Sequence, residues 1–311
     1  MWGFSMRRPA HCGLVFASLV VATGVLAACG STKATDSKSL AAPVVVLAAG
    51  DIAECEHSGD EATARLLAAH PEATILTLGD NAYQQGTDED FMACYAPSWG
   101  KFKDRTRPSV GNHDQETKDA QGYADYFGSA GGPFDRYYYS FDLGGWHLVV
   151  LNSDCWRVGG CGPGSPQYEW LLQDLENHPS LCTLAYWHRP AFTSGRYRDN
   201  ELTREVRALW QPLYDANAEI ILAGHEHSYE RFLPMDPSGQ ADAARGIQEF
   251  VVGTGGGNLR PYKEPPLPTT VVRDGSTWGV LKLKLYADRY EWKFLPVEGK
   301  TFTDTGSVAC H

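Results

Sequence analysis

The stretch Val44-Val45-Val46-Leu47-Ala48-Ala49-Gly50-Asp51 decides the fold. Six consecutive apolar residues have the length of a strand. A run that is apolar on both faces belongs in a parallel or mixed sheet covered by helices. Residues 59–70 follow, with Ala62, Leu66, Leu67 and Ala69 on one side at helical spacing, and Pro71 closes the segment. Residues 74–78 are the next apolar run, ending at Gly79-Asp80. Strand, helix and strand make a βαβ unit, and both strands end in an aspartate. In such sheets ligands gather outside the carboxyl ends of the strands.

Outward from this unit the alternation continues. Residues 88–98 read as a helix, and 108–110 lead into Asn112. Segments 137–142 and 146–151 flank Leu143-Gly144-Gly145 as a hairpin. A helix over 167–177 precedes a strand over 182–187 that ends at His188. A helix over 201–216 precedes a strand over 219–223 that ends at His225. The remainder is β: 248–252, 279–286 and 290–295. The predicted fold class is α/β (α+β by some schemes): two mixed β-sheets packed as a sandwich, flanked by helices, in one domain over residues 43–311.

Upstream, Arg7 and Arg8 precede a fifteen-residue apolar segment, Leu14 to Ala28. It falls short of the roughly 20 residues a spanning helix needs, so residues 1–28 read as a signal peptide. Leu26-Ala27-Ala28-Cys29 resembles a bacterial lipobox, which implies cleavage before Cys29 and a lipid on its thiol. Residues 29–42, rich in Ser, Thr, Lys and Ala, form a flexible tether. The expected location is the outer face of the cell membrane as a lipoprotein, or otherwise a secreted product.

The formal charge of −11 excludes the Lys/Arg-rich surface that nucleic-acid binding needs. It does not exclude small phosphorylated substrates, because bound cations set the local charge at a metal site. Of eight cysteines, Cys12 leaves with the signal and Cys29 is the lipid site. The other six imply three disulfides in an exported protein. Cys155 and Cys161 share one Gly-rich loop, Cys55 and Cys94 each follow an aspartate motif, and Cys182 remains for Cys310. A thiolate metal site is disfavoured, because the sequence has no Cys-x-x-Cys.

Five motifs carry the chemistry: Gly50-Asp51, Gly79-Asp80-Asn81-Ala82-Tyr83, Gly111-Asn112-His113-Asp114, Trp187-His188 and Gly224-His225-Glu226-His227. They supply two carboxylates, a phenol, an amide oxygen and three imidazoles, enough for two cations about 3.5–4 Å apart. Each alone has a bland reading as a turn, a cap or a core-edge histidine. Their conjunction, each after an apolar run or a Gly turn, does not.

With these motifs the chain resembles the calcineurin-like metallophosphoesterases, and among them the purple acid phosphatases, over Val44 to about Phe232. The wider superfamily places a histidine where this chain has Ala53, which coordinates nothing, whereas Tyr83 supplies the phenol of the purple acid phosphatases. The resemblance implies that Asp51, Asp80, Tyr83 and His227 hold a first metal, and Asp80, Asn112, His188 and His225 a second, with Asp80 bridging. It implies Fe(III) first, which suits hard anionic donors, and Zn(II), Mn(II) or Fe(II) second. His113 matches the family's catalytic histidine. Two departures touch no ligand: Gly-Asp-Ile-Ala at the first motif, and Ala185 opening the fourth.

The implied function is hydrolysis of phosphate monoesters by a metal-activated hydroxide, on small phosphate ester substrates. The alternatives are a phosphodiesterase on nucleotides or glycerophosphodiesters, and a surface lipoprotein that binds metal or phosphate without turnover. Arg189 and Arg196 are candidate phosphate contacts, and His57 a candidate substrate contact. Residues 253–257 read as a turn near the site. His147 and Tyr137 to Tyr139 read as structural.

Overall fold

A computed structural model describes residues 42–311. The expected leader, the expected lipid-site Cys29 and nearly all of the expected tether lie outside the described residues. No described helix is long and apolar enough to cross a membrane.

The opening unit is present: β1 (Val44–Ala49), α1 (Gly59–Ala68) and β2 (Thr74–Leu78), with β1 and β2 parallel. A short α2 (Asp88–Asp90) leads to β3 (Thr106–Ser109) and then α3 (Gln121–Phe127). The hairpin β4 (Tyr139–Leu143) and β5 (Trp146–Val150) is followed by α4 (Pro166–Asn177) and β6 (Cys182–Tyr186). Helices α5 (Glu201–Val206) and α6 (Trp210–Asp215) precede β7 (Ile220–Ala223) and β8 (Tyr229–Phe232). The chain closes with β9 (Gln248–Val252), β10 (Thr270–Asp274), β11 (Gly279–Leu285), β12 (Arg289–Pro296) and β13 (Thr305–Ala309).

The strands form two mixed sheets, ordered β13-β12-β11-β1-β2-β3 and β10-β8-β9-β7-β6-β5-β4. In the first, β1, β2 and β3 run parallel; in the second, β5, β6, β7 and β9 do. Period-two alternation sorts the second sheet's side chains. Leu148, Leu184, Leu222 and Phe250 share a core with Leu47, Leu76 and Leu283 of the first sheet. Their neighbours Val149, Ala185, Ile221 and Val251 pack with Trp210 and Leu213 of α6. Burial on both faces is why these strands read as mostly apolar runs, broken at positions such as His147 and Glu249 that find buried partners. Each such side chain contributes roughly 1.5–3 kcal/mol by leaving water.

The helix expected over 201–216 is broken into α5, a 3₁₀ turn and α6. Pro212 has no N–H for the bond to residue 208, so a continuous helix is interrupted there. The helix expected over 88–98 is three residues of α2 followed by a π turn, Phe91–Tyr95. Disulfides join Cys55–Cys94, Cys155–Cys161 and Cys182–Cys310. The first ties the loop after β1 to the π turn, and the last ties the C-terminal segment to the start of β6.

Candidate metal centre

The carboxyl ends of β1, β2, β3, β6 and β7 converge, and the five motifs are the segments that leave them. Asp51, Asp80, His225 and His227 all have positive φ, between 49° and 73°. L-residues rarely adopt this region, and such strain persists only where surrounding structure fixes it. Here packing fixes it. A Cβ on Gly111 would lie 2.1 Å from the Asp80 nitrogen, and one on Gly224 would lie 2.8 Å from Asp51 Oδ2. The glycine before a candidate ligand therefore lets a second motif's ligand approach.

All seven candidate ligands come together in two overlapping groups. In the first, Tyr83 Oη lies 3.0 Å from Asp51 Oδ1, 3.2 Å from Asp80 Oδ2 and 3.0 Å from His227 Nε2. His227 Nε2 is 3.2 Å from Asp51 Oδ1. In the second, His188 Nε2 lies 3.2 Å from Asp80 Oδ2, 3.2 Å from Asn112 Oδ1 and 3.1 Å from His225 Nδ1. Asp80 Oδ2 belongs to both groups. Two ligand atoms about 2.1 Å from one cation and at right angles are about 3 Å apart, so this spacing is that of coordination edges.

The far side of each donor is tied down. His188 Nδ1 donates to Leu78 O at 2.8 Å and His227 Nδ1 to Asn258 O at 2.8 Å, which turns both Nε2 lone pairs inward. The other Asp80 oxygen accepts the His113 backbone N–H at 2.8 Å. Asp114, buried beneath, accepts from Gly111 N, Asn81 N and Asn81 Nδ2, and so clamps the second motif to the third. His225 Nε2 faces Arg189 Nη1 at 2.8 Å, and Asp154 holds that guanidinium at 2.6 Å. A cation on Nδ1 requires the ring proton on Nε2, so the guanidinium must then give way.

The electrostatics match a cation site. Burial works to raise Asp51, but the His227 and His188 imidazoles outweigh it and hold the carboxyl low. Burial likewise opposes ionisation of Asp80, yet His188, His113 and His225 press it well below the carboxylate range. Burial lowers His188, but Asp80 and Asp51 raise it to about 9, so the two carboxylates hold on it a proton that a bound cation would displace. Burial, then His188 and Arg189, keep His225 neutral, as a ligand must be. The hard oxygen donors of the first group and the two imidazoles of the second fit a pair of unlike cations.

His113 stands over this cluster, its ring 4.6 Å from that of Tyr83 and its Nε2 3.9 Å from Asp80 Oδ2. Its Nδ1 donates to Gln84 O at 2.5 Å, leaving Nε2 facing the opening. Residues 253–257 pack against the first motif, with Gly255 N on Gly50 O and Gly257 N on Asp51 O. His57 is exposed, 3.7 Å from Glu54. His147 is buried on β5, away from the cluster, between Asp142 and Asp174.

Sequence reasoning missed the frame around the cluster. Three buried glutamates hold the loop after His188. Glu249 accepts the Ala191 and Phe192 N–H groups, Glu230 that of Ser194, and Glu226 that of Tyr197. The loop thereby lays Tyr197 on His225, ring centroids 4.3 Å apart. Glu226, between two candidate ligands, was the one with a usable signal.

The calcineurin-like phosphoesterase profile matches residues 43–229. Purple acid phosphatase 15 of Arabidopsis thaliana is 29% identical over 58% of this chain and 40% of its own length. Purple acid phosphatase 21 of the same plant is 32% identical over 45% of this chain and 32% of its own length. The chain thus spans well under half of these relatives. A purple acid phosphatase from yellow lupin (Lupinus luteus) seeds superposes with a TM-score of 0.69, covering 86% of this chain and 53% of that one at 17% identity. The chain belongs to the calcineurin-like phosphoesterase family, and the relatives it resembles there are purple acid phosphatases.

Proposed function

We propose that the chain is a dinuclear-metal phosphatase that hydrolyses phosphate monoesters. Asp51, Asp80, Tyr83 and His227 would hold an Fe(III), and Asp80, Asn112, His188 and His225 a Zn(II), Mn(II) or Fe(II). The observation that carries the reading is the convergence of donor atoms from all seven side chains at 3.0–3.2 Å. A bound cation pair supplies positive charge that acidifies water and neutralises a phosphoryl group.

The chain's own residues do the rest. Asp80 spans the two groups, so its position sets their separation. His113, anchored through Nδ1, presents Nε2 to a substrate on the open side. As the P–O ester bond breaks and a water oxygen bonds to phosphorus, the Nε2 proton passes to the leaving oxygen. Half-buried Tyr197, held by Glu226, keeps the His225 ring from rotating away.

The test is turnover of p-nitrophenyl phosphate against bis(p-nitrophenyl) phosphate by metal-loaded protein. The monoester is expected to be the better substrate. Preference for the diester would make the chain a phosphodiesterase, and inertness toward both would make it a binder. A visible charge-transfer band lost in Tyr83→Phe would assign iron to the phenol. We also propose export and lipid attachment at Cys29, which Cys29→Ser would test by releasing protein from the membrane. The three disulfides suit an oxidising compartment.

A further inference from the structure

Resting on the phosphatase reading, we infer that Arg260, seated on Tyr197, forms a second anion subsite at the rim of the metal centre. The preferred substrate is then an ester whose leaving group carries a phosphate or carboxylate of its own.

Arg260 is fixed at the site by its backbone, whose N–H donates to His227 O at 3.0 Å. Its guanidinium Nη1 donates to Tyr197 Oη at 3.4 Å, and its Cζ is 5.8 Å from the Tyr197 ring centroid. Tyr197 in turn stacks on His225. The guanidinium therefore sits one side-chain layer outside the candidate ligand His225. The backbone of Arg260 thus meets His227 of the first group, and its side chain, through Tyr197, meets His225 of the second. Arg196 approaches the same tyrosine ring, 5.8 Å from its centroid.

Neither guanidinium has a carboxylate partner among the described residues. Arg136, Arg189, Arg231, Arg273 and Arg289 all do. In a chain of net charge −11, two unpaired arginines beside one tyrosine leave a local excess of positive charge. A guanidinium fork is suited to a planar or tetrahedral oxyanion. A neighbouring cleft of about 370 Å³ beside Tyr83 has the reverse sign, being lined by Glu54, Glu56, Glu89 and Asp90. A leaving group with its own negative charge is repelled from that cleft and directed onto Arg260.

The test compares 3-phosphonopropionate with propylphosphonate, which differ only in the terminal carboxylate, by calorimetry on metal-loaded full-length protein. The wild type is expected to bind the carboxylate about ten-fold or more tighter, as for a charge-assisted hydrogen bond. Arg260→Gln is expected to erase that ratio while propylphosphonate binding is kept, and Arg260→Lys to retain part of it. Equal affinities in the wild type would overturn the subsite. So would an equal loss of both ligands in Arg260→Gln, which would place the guanidinium on the reacting phosphoryl group. Because the readout is binding, an inert but discriminating protein would sink the phosphatase reading alone.

Discussion

The Asp51 carboxylate accepts the backbone N–H of His225 at 2.6 Å, although 174 positions separate them. A proposed ligand of the first cation therefore positions a proposed ligand of the second. Asp51→Asn cannot keep both roles: with its oxygen on the His225 N–H it points an amide N–H at the His227 lone pair where a cation would lie, and reversed it sets N–H against N–H. Metal analysis is expected to show loss at both sites, not one. A variant that kept one full equivalent would separate the two sites.

Unlike His188, His225 and His227, His113 brings neither ring nitrogen within 3.5 Å of a candidate ligand atom, and its side chain is 28% exposed. His113→Asn is expected to lower kcat by about 10²–10⁴-fold with metal content unchanged, the usual reach of a positioned proton donor. Steady-state kinetics beside metal analysis checks both halves.

Glu249 is fully buried, which pushes its carboxyl well up, while the Ala191 and Phe192 N–H groups it accepts pull the other way. Glu249→Gln keeps an acceptor and is expected to be mild. Glu249→Ala strands both donors and is expected to cost about 2–4 kcal/mol, read as a shift of the urea midpoint. The same variant should raise KM more than it lowers kcat, because the loop it releases carries Tyr197.

His147 gives a pH-dependent contribution away from the metal centre. Burial lowers its imidazole, but Asp174 and Asp142 outweigh it and raise it above 6.5. Burial raises Asp174, but His147 and Ser140 outweigh it and hold the carboxyl below 3.8. The His178 ring stacks on His147 at 4.9 Å and is the other titratable group there. The raised histidine stabilises fully below 6.5 and loses this as pH rises through its folded value. The lowered carboxyl stabilises above 3.8 and loses this as pH falls through its own. The window is thus roughly pH 4–6.5. His147→Gln is expected to cost about 2 kcal/mol at pH 5.5 and distinctly less at pH 9. Equal loss at both would show that no charge is involved.

The sequence by itself determined the parallel strands and the residues that leave them. Strands β1, β2, β5, β6, β7 and β9 are buried on both faces, which favours runs that are mostly apolar, and a Gly beside a ligand type marks four of the five motifs. Strands β8 and β13 were illegible: Glu230 and Arg231 interrupt β8, and β13 is a largely exposed edge with no alternation to read. Pro108 disguised β3 in the same way. Only the tertiary structure decided what surrounds the cluster. Arg260 gains its meaning from Tyr197, 63 positions away, and Glu249 from Ala191, 58 away. Such residues carry no local pattern, because a hydrogen bond between distant segments imposes a requirement on the pair in space and none on the neighbours of either in the chain.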